Sequence, residues 1–255
     1  MRGGGAKMGQ DMGKVIVITG AGSGLGRALA RRFAADGDTV VLIGRTLAKL
    51  EKVAAELGEP ALPVACDIGS PASVKAAFAR IAERHAKIDV LINNAAMIDY
   101  ATLRAASDEH ILGVVNTNLV GNMLCSRAAI NMMDRGGHII NVTSEAVDAP
   151  YPHHVCYQAT KGGVECMSRH LQDELRPDGI RVTVVRAGPM GDEDYTTQAS
   201  PEAAQAFYRA CAERGIDLMK VGYSAFESVT WIFRSLVDMP ADMHVDTVRS
   251  GARRP

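Results

Sequence analysis

The chain has 255 residues, 47% of them hydrophobic, and a formal net charge of −1 at pH 7. The near-neutral charge argues against a nucleic-acid partner or an anionic membrane surface, and no apolar run approaches the roughly 20 residues of a membrane-spanning helix. The five cysteines show neither a CxxC motif nor metal-ligand spacing. This usage indicates a reduced, cytoplasmic chain without a metal site.

Short β-branched runs alternate with longer helical patterns along the chain. Residues 1–12 lack the apolar core of a signal peptide and are predicted to form a disordered leader. The alternation predicts an α/β fold in a single domain over residues 13–255, a doubly wound, Rossmann-like parallel sheet of about seven strands with helices on both faces. Strands are predicted at 14–20, 38–44, 62–66, 88–94, 138–144, 180–186 and 243–249. Helices are predicted near 24–36, 46–57, 70–86, 107–133, 154–176, 200–214 and 224–238.

A glycine-rich turn, "TGAGSGLG", follows the first predicted strand at residues 19–26. Without side chains, Gly20, Gly24 and Gly26 let a pyrophosphate approach backbone N–H groups at the positive end of the next helix. A lone glycine pattern also marks ordinary turns. The strand before it and the helix after it favour a dinucleotide-binding interpretation.

The second predicted strand ends in "VVLIGRT", where a carboxylate would bind a ribose 2′-hydroxyl. Gly44 occupies that position and Arg45 follows it. A guanidinium suits a 2′-phosphate through a forked, charge-assisted pair, which favours NADP(H) over NAD(H), although NAD(H) stays possible. The alternative is that Arg45 merely starts the next helix on a solvent face.

The stretch "CYQATKGG" places Tyr157 and Lys161 four residues apart, on one face of a predicted helix. A carbonyl or alcohol that exchanges hydride with a nicotinamide needs a proton donor or acceptor at its oxygen. An ammonium near a phenol favours the phenolate, so this pair suits acid/base chemistry. Taken alone, a tyrosine and a lysine at this spacing are more often surface residues.

Three further motifs occur in order: "NNAA" at 93–96, "NTNLVG" at 116–121 and "INVTS" at 140–144. With the TGxxxGxG turn and "YQATK", the chain from about 14 to 249 resembles the short-chain dehydrogenase/reductase family, in its compact single-domain branch. The resemblance implies that the catalytic residues are Ser144, which holds the substrate oxygen, Tyr157 as acid or base, Lys161, which grips the nicotinamide ribose, and Asn118, which orders a proton-relaying water. It implies that the cofactor contacts Gly20, Ser23, Gly24, Leu25, Gly26, Arg45, Asp67, Ile68, Asn94, Ala95, Tyr157, Lys161, Gly188 and Met190.

The segment "AGPMGD", 187–192, departs from the family's usual PGxxxT. Ala187 replaces the proline and Asp192 stands at the threonine position, so the carboxamide end of the cofactor is expected to be held differently. Ser23 lies in the glycine turn, where NADP-dependent members often carry a basic residue.

The substrate pocket is predicted to be mostly apolar, with a loop or lid at about 187–215. The histidine pair 153–154 either binds an acidic substrate or caps the following helix, and the acids of "GDEDY" argue against an anionic group at that end. The predicted walls are Met97, Ile98, Tyr100, Tyr151, His153, His154, Met190 and Tyr195.

The predicted function is NADP(H)-dependent hydride transfer between nicotinamide and a small-molecule carbonyl compound or secondary alcohol. One alternative is an enzyme of the same fold that acts on an imine or as an epimerase. Another is a non-catalytic NADP-binding regulator, against which the Ser–Tyr–Lys set argues. Two long helices carry more apolar or small residues than one site needs, and the family resemblance implies a two-fold partner for them, which gives a homodimer or homotetramer. The alternative is that these residues pack only within the subunit of a monomer. These residues are Val114, Leu119, Met123, Ala129, Gly163, Met167 and Leu171.

Overall fold

The computed structural model of the protein describes residues 13–192, 199–220 and 222–252. The predicted leader, 1–12, and the predicted wall residue Tyr195 lie outside these ranges. Seven strands form one sheet: β1 (Val15–Thr19), β2 (Thr39–Gly44), β3 (Leu62–Ala65), β4 (Val90–Asn93), β5 (His138–Ser144), β6 (Arg181–Ala187) and β7 (Thr247–Ser250). Every pair is parallel, and the order is β3-β2-β1-β4-β5-β6-β7.

Helices cover both faces of the sheet. They are α1 (Gly24–Ala35), α2 (Leu47–Leu57), α3 (Pro71–Ala82), α4 (Asp108–Val115), α5 (Gly121–Ile130), α6 (Val155–Leu175), α7 (Pro201–Glu213) and α8 (Phe226–Val237). Short 3-10 turns occur at Glu145–Val147 and Leu218–Lys220. Within the described ranges, no helix is long and apolar enough to cross a membrane.

The strands are buried on both sides, and alternate residues enter different cores. Ile16 and Ile18 of β1 pack in the core beneath α1, α2 and α8, whereas Val17 packs in the opposite core with α3, α5 and α6. This alternation follows from the two-residue period of a strand. The predicted doubly wound α/β sheet of seven strands is therefore confirmed.

The single helix predicted over 107–133 is interrupted by a π-helical turn, Asn116–Val120, between α4 and α5. The side chain of Ser107 caps α4 by accepting a hydrogen bond from the His110 N–H. A π turn inserts one extra residue per turn and re-aims the side chains that it carries. One of those side chains is Asn118, which the turn directs into the interior, where it is 2% exposed.

The two glycines of "CYQATKGG" have different surroundings in α6. A Cβ on Gly163 would lie 3.3 Å from both methyl carbons of Leu119, so this glycine permits close packing of α6 on the π turn. A Cβ on Gly162 would meet nothing within 4 Å among the described residues. Only Gly163 therefore has a packing reason within the subunit.

A buried polar network joins the middle of the sheet to the helices on one face. The Asn93 Nδ2 donates to Asn141 Oδ1 at 2.9 Å and to Ser126 Oγ at 3.0 Å, and the Asn141 Nδ2 donates to Ser168 Oγ at 2.8 Å. Each bond links a different pair of elements among β4, β5, α5 and α6. The network fixes α6, and with it the "CYQATK" turn, relative to the strand that ends at Ser144.

Candidate active site

The carboxyl ends of β1, β2, β4, β5 and β6 surround one cleft of about 480 Å³. A crevice at this edge, where the strand order reverses between β1 and β4, is the usual ligand position in an open parallel sheet. Among the predicted site residues, Gly26 and Asn118 do not line the cleft. The predicted residues that line it are Gly20, Ser23, Gly24, Leu25, Arg45, Asp67, Ile68, Asn94, Ala95, Ser144, Tyr157, Lys161, Gly188 and Met190.

The glycine turn is built by close backbone contact. Gly20 and Gly24 have positive φ angles of 72° and 51°, which favour glycine. A Cβ on Gly26 would lie 2.2 Å from the Gly20 carbonyl oxygen. Gly26 therefore packs beneath the turn, which explains why it shapes the cleft without lining it.

Thr19 joins the loop after β4 to the glycine turn by hydrogen bonds, a role that was not predicted from the sequence. Its buried Oγ1 accepts hydrogen bonds from the N–H groups of Asn94 and Ala95, both at 3.0 Å. The Asn94 Nδ2 donates to the Thr19 carbonyl oxygen at 2.9 Å. A hydroxyl directly before the first glycine was the available signal. These hydrogen bonds hold the loop after β4 against the glycine turn.

The end of the cleft nearest β2 carries two basic side chains. Arg45 is exposed and lines the cleft, as does Lys49 of α2. A Cβ on Gly22 would lie 3.2 Å from the Lys49 Cβ, so this lysine adjoins the glycine turn from outside it. A basic residue was expected only within the turn, and Lys49 was therefore not predicted.

Tyr157 and Lys161 lie at the opposite end of the cleft, on the first turns of α6. Tyr157 is 8% exposed and Lys161 is 4% exposed. The Lys161 Nζ donates to the Val142 carbonyl oxygen at 2.7 Å and lies 5.7 Å from the centre of the Tyr157 ring. Burial lowers the pKa of Lys161 to about 8, so the ammonium form still predominates at pH 7.

Ser144 ends β5 beside these residues. Its Oγ accepts a hydrogen bond from the Ala146 N–H at 3.2 Å, at the start of a 3-10 turn. Since the backbone donor occupies one lone pair, the hydroxyl hydrogen remains available for donation into the cleft.

Asn118 acts on the site through the backbone. Its Oδ1 accepts from the Met97 N–H at 2.7 Å, and its Nδ2 donates to the Met97 carbonyl oxygen at 3.0 Å and to Thr160 Oγ1 at 3.2 Å. Thr160 in turn donates to the Tyr157 carbonyl oxygen at 2.7 Å. Asn118 thus ties the loop after β4 to the helix that carries Tyr157. Its water-ordering role stays a prediction.

Aromatic side chains dominate the cleft beyond Tyr157. The Tyr100 and Phe207 rings stack with centroids 4.3 Å apart at 6°, and the His154 ring lies 4.9 Å from each. His154 also meets Tyr157 edge-on, with centroids 5.5 Å apart. Phe207 comes from α7, inside the predicted 187–215 segment, but was not singled out. Its helical spacing with buried Cys211 was the available signal.

Two predicted wall residues do not line the cleft. The backbone of Met97 is held by Asn118, and His153 adopts a positive φ of 59° in the turn before α6. The predicted wall residues that line it are Ile98, Tyr100, Tyr151, His154 and Met190.

The unusual "AGPMGD" segment is held by its own contacts. The Gly188 N–H donates to the Ser250 carbonyl oxygen at 2.8 Å, and a Cβ on Gly188 would lie 2.8 Å from that oxygen. Asp192, at the position where the family usually has threonine, lies 3.7 Å from an Arg27 guanidinium nitrogen. The Asp192 carboxylate is thereby partly neutralised by α1.

The sequence model of the short chain dehydrogenase family matches residues 14–203. The chain belongs to the short-chain dehydrogenase/reductase family. It is therefore an oxidoreductase of a family whose members bind NAD(P), as the motif resemblance implied. Its motifs at 19–26, 93–96, 116–121 and 157–161 all fall within the matched residues.

Known proteins similar to this chain carry different activities in their names. Chlorophyll(ide) b reductase NOL, chloroplastic, of Arabidopsis thaliana is 36% identical over 78% of this chain, which spans 61% of that protein's length. NADP-dependent 3-hydroxy acid dehydrogenase YdfG of Salmonella typhi is 30% identical, covering 92% of this chain and 93% of that protein. The X-ray structure of an alcohol dehydrogenase from the archaeon Thermococcus sibiricus, complexed with 5-hydroxy-NADP, has a TM-score of 0.79 at 26% identity, covering 95% and 98% of the two chains.

Replacing Lys161 by methionine tests the burial of its ammonium. The folded-state pKa near 8 lies below the usual 10.5, so the folded protein binds fewer protons than the unfolded protein between those values. The buried Lys161 ammonium therefore lowers the free energy of unfolding by its full amount below pH 8, and this loss of stability decreases as the pH rises above 8. Lys161→Met should therefore have the higher free energy of unfolding at pH 7, and its advantage should shrink by about 3 kcal/mol towards pH 10.

Urea unfolding followed by circular dichroism at several pH values measures this difference. Lys52→Met is the matched control, because Lys52 is exposed on α2. Its stability difference from the wild type should not follow the same trend. An advantage of Lys161→Met that stays constant between pH 7 and pH 10 would contradict the assigned burial of charge.

Proposed function

We propose that the protein is an NADP(H)-dependent carbonyl reductase or alcohol dehydrogenase. The observation that carries the proposal is one cleft with a glycine-built turn at one end and Ser144, Tyr157 and Lys161 at the other. When bound, the nicotinamide supplies hydride to a carbonyl carbon or accepts it from an alcohol carbon.

The residues present fit a dinucleotide. No acidic side chain occupies the first turn of α1, so the positive end of this helix is open to a pyrophosphate above Gly20, Ser23 and Gly24. Asp67 and Ile68 would hold the adenine end, and the cleft volume lies within the range of cofactor sites. Lys161 would contact the nicotinamide ribose.

The protein's own residues provide the proton chemistry. The Ser144 hydroxyl would donate to the substrate oxygen and hold it near Tyr157. In reduction the Tyr157 phenol gives its proton to that oxygen, and in oxidation the phenolate takes the proton from the alcohol. The Lys161 ammonium, fixed by the Val142 carbonyl oxygen, stabilises the phenolate that forms.

Selection of NADP(H) rests on the two basic side chains at the end nearest β2. Gly44 brings no carboxylate to repel a 2′-phosphate, while Arg45 and Lys49 together would neutralise it. Lys49 takes the place of the basic residue that is lacking in the glycine turn. The name of the Salmonella typhi relative and the 5-hydroxy-NADP of the Thermococcus sibiricus neighbour support the same cofactor.

The buried charge of Lys161 favours an enzyme over a non-catalytic regulator. An ammonium with one carbonyl partner in the interior lowers stability, and contact with the nicotinamide ribose alone does not require it to lie beside a phenol. Proton transfer at Tyr157 gives the charge a use. An imine substrate or epimerisation stays an alternative, since both also use a proton donor at this position.

Tyr157→Phe removes the transferable proton and keeps the aromatic ring. The variant should lose about a hundredfold or more in kcat with any carbonyl or alcohol that the wild type converts. NADPH affinity, measured by fluorescence titration, should stay within about threefold, because the phenol proton is not required for binding. A variant that keeps more than about a tenth of the wild-type rate would exclude Tyr157 as the acid or base.

Arg45→Asp tests the cofactor preference. It exchanges an attraction to the 2′-phosphate for a repulsion and offers an acceptor to a free 2′-hydroxyl. The ratio of NADPH to NADH affinity should fall by about tenfold or more, measured by titration of both cofactors. Arg80→Asp, an exposed substitution on α3 away from the cleft, should leave the ratio unchanged. Equal ratios in both variants would mean that Arg45 only faces solvent.

Assembly with a second copy is the remaining part of the proposal. Val114 and Ala129, expected to face a partner, are instead fully buried within the subunit, and Ala129 belongs to the core that α3, α5 and α6 cover. Leu112 of α4 and Met123 of α5 are 58% and 44% exposed, and Val155, the first residue of α6, is also exposed. These side chains support a homodimer or homotetramer built on α4–α6.

Static light scattering decides the assembly. A mass of two or four times 27.1 kDa is expected for the wild type, and Met123→Glu should shift the population towards the monomer by burying a charge in the contact. A wild-type mass near 27.1 kDa at micromolar concentration would contradict the proposal.

A further inference from the structure

A carboxylate lies at the substrate end of the cleft. Glu145 directly follows Ser144 and lines the cleft. Its Oε1 accepts a hydrogen bond from the Tyr151 hydroxyl at 3.2 Å, and a Cβ on Gly188 would lie 3.5 Å from its Oε2. The carboxylate is therefore positioned between two parts of the wall, one residue beyond the hydroxyl proposed to hold the substrate oxygen.

Among the described residues that line the cleft, no positively charged side chain pairs with the Glu145 carboxylate. The basic residues that line the cleft are Arg45, Lys49, His154 and Lys161. The first two lie at the end nearest β2, and Lys161 donates to the Val142 carbonyl oxygen. His154 is buried, and burial lowers its pKa, which favours the neutral ring.

The neutral His154 ring adds a second acceptor to the same region. Its Nδ1 lies 3.2 Å from the Pro152 carbonyl oxygen and donates to it, so Nε2 of the neutral ring carries a lone pair. The ring stands in the aromatic cluster with Tyr100 and Phe207. A ligand at this end would thus meet flat apolar rings, one carboxylate and an imidazole acceptor.

We propose that Glu145 gives the substrate site a charge preference. The site accepts a carbonyl compound, or the matching alcohol, whose aromatic or other apolar body carries an ammonium or a neutral hydrogen-bond donor, and it disfavours the carboxylate counterpart. This inference rests on the proposed function of the same site. Beside buried rings such as those of His154 and Phe207, like charges repel more strongly than in bulk water. The Salmonella typhi relative is named for its action on a 3-hydroxy acid, and we expect such an acid to be a poor substrate of this protein.

Three aryl methyl ketones of similar size test the preference. They carry an aminomethyl, a methyl or a carboxylate group para to the acetyl group, and kcat/KM is measured for each with NADPH. The wild type should prefer the ammonium ketone to the carboxylate ketone. In Glu145→Gln the ammonium-to-carboxylate ratio should fall by about tenfold or more, because one charge is removed at nearly constant shape.

Asp148→Asn is the matched control. It removes the same charge three residues further along the chain, where the carboxylate pairs with Arg186 and does not line the cleft. Its ratio should equal that of the wild type. The proposal is overturned if the wild type prefers the carboxylate ketone, a result that needs no variant, or if Glu145→Gln keeps the wild-type ratio.

The methyl ketone separates this inference from the proposed function. If the protein converts neither the methyl ketone nor the alcohol derived from it, with NADP(H) or with NAD(H), the proposed function is contradicted for aryl methyl ketones. The charge preference is then measured as binding. Calorimetric titration of the charged ketones into protein saturated with NADP⁺ involves no hydride transfer. A dissociation-constant ratio that favours the ammonium ketone and falls in Glu145→Gln supports the inference. An equal ratio in both proteins contradicts it.

Discussion

The burial of a parallel sheet on both faces decides where chemistry can occur in this protein. Residues such as Ile16, Val17 and Ile18 are fully buried in the two cores, so the strands have no side free for a ligand. Polar groups that serve a site collect where the strands end. Thr19 and Ser144 are the last residues of their strands, and the connections that follow them form the cleft.

Within that cleft, the buried ammonium of Lys161 lowers the stability that the rest of the fold provides. Burial lowers its pKa to about 8, which means that the folded protein carries the ammonium at neutral pH at a cost in stability. The Val142 carbonyl oxygen offsets part of that cost and also fixes the nitrogen beside Tyr157. A charge held in place before a phenolate forms needs little rearrangement when it does form. The same burial therefore weakens the fold and prepares the proposed proton transfer.

Local sequence predicted those features that local sequence determines. The glycine turn depends on neighbouring residues and the sheet on a two-residue period, so both were predictable, as was the spacing of Tyr157 and Lys161. Lys49 and Glu145 were not predicted as site residues, because their positions in the cleft depend on how distant elements pack. The π turn at Asn116–Val120 was not predicted, because the helical pattern of residues 107–133 is continuous in sequence. Val114 was misplaced because an apolar helix residue does not reveal which neighbour covers it.

The charges along the cleft have an order that no single motif contains. Arg45 and Lys49 stand at the end nearest β2, the Lys161 ammonium lies near Tyr157, and Glu145 directly follows Ser144. An extended ligand with an anionic end would enter with that end towards the two basic residues, because the reverse orientation would bring it against Glu145. The charge that we propose to oppose an acidic substrate would thus also oppose a reversed dinucleotide. A single carboxylate beside Ser144 would in this way serve both orientation of the cofactor and choice of substrate.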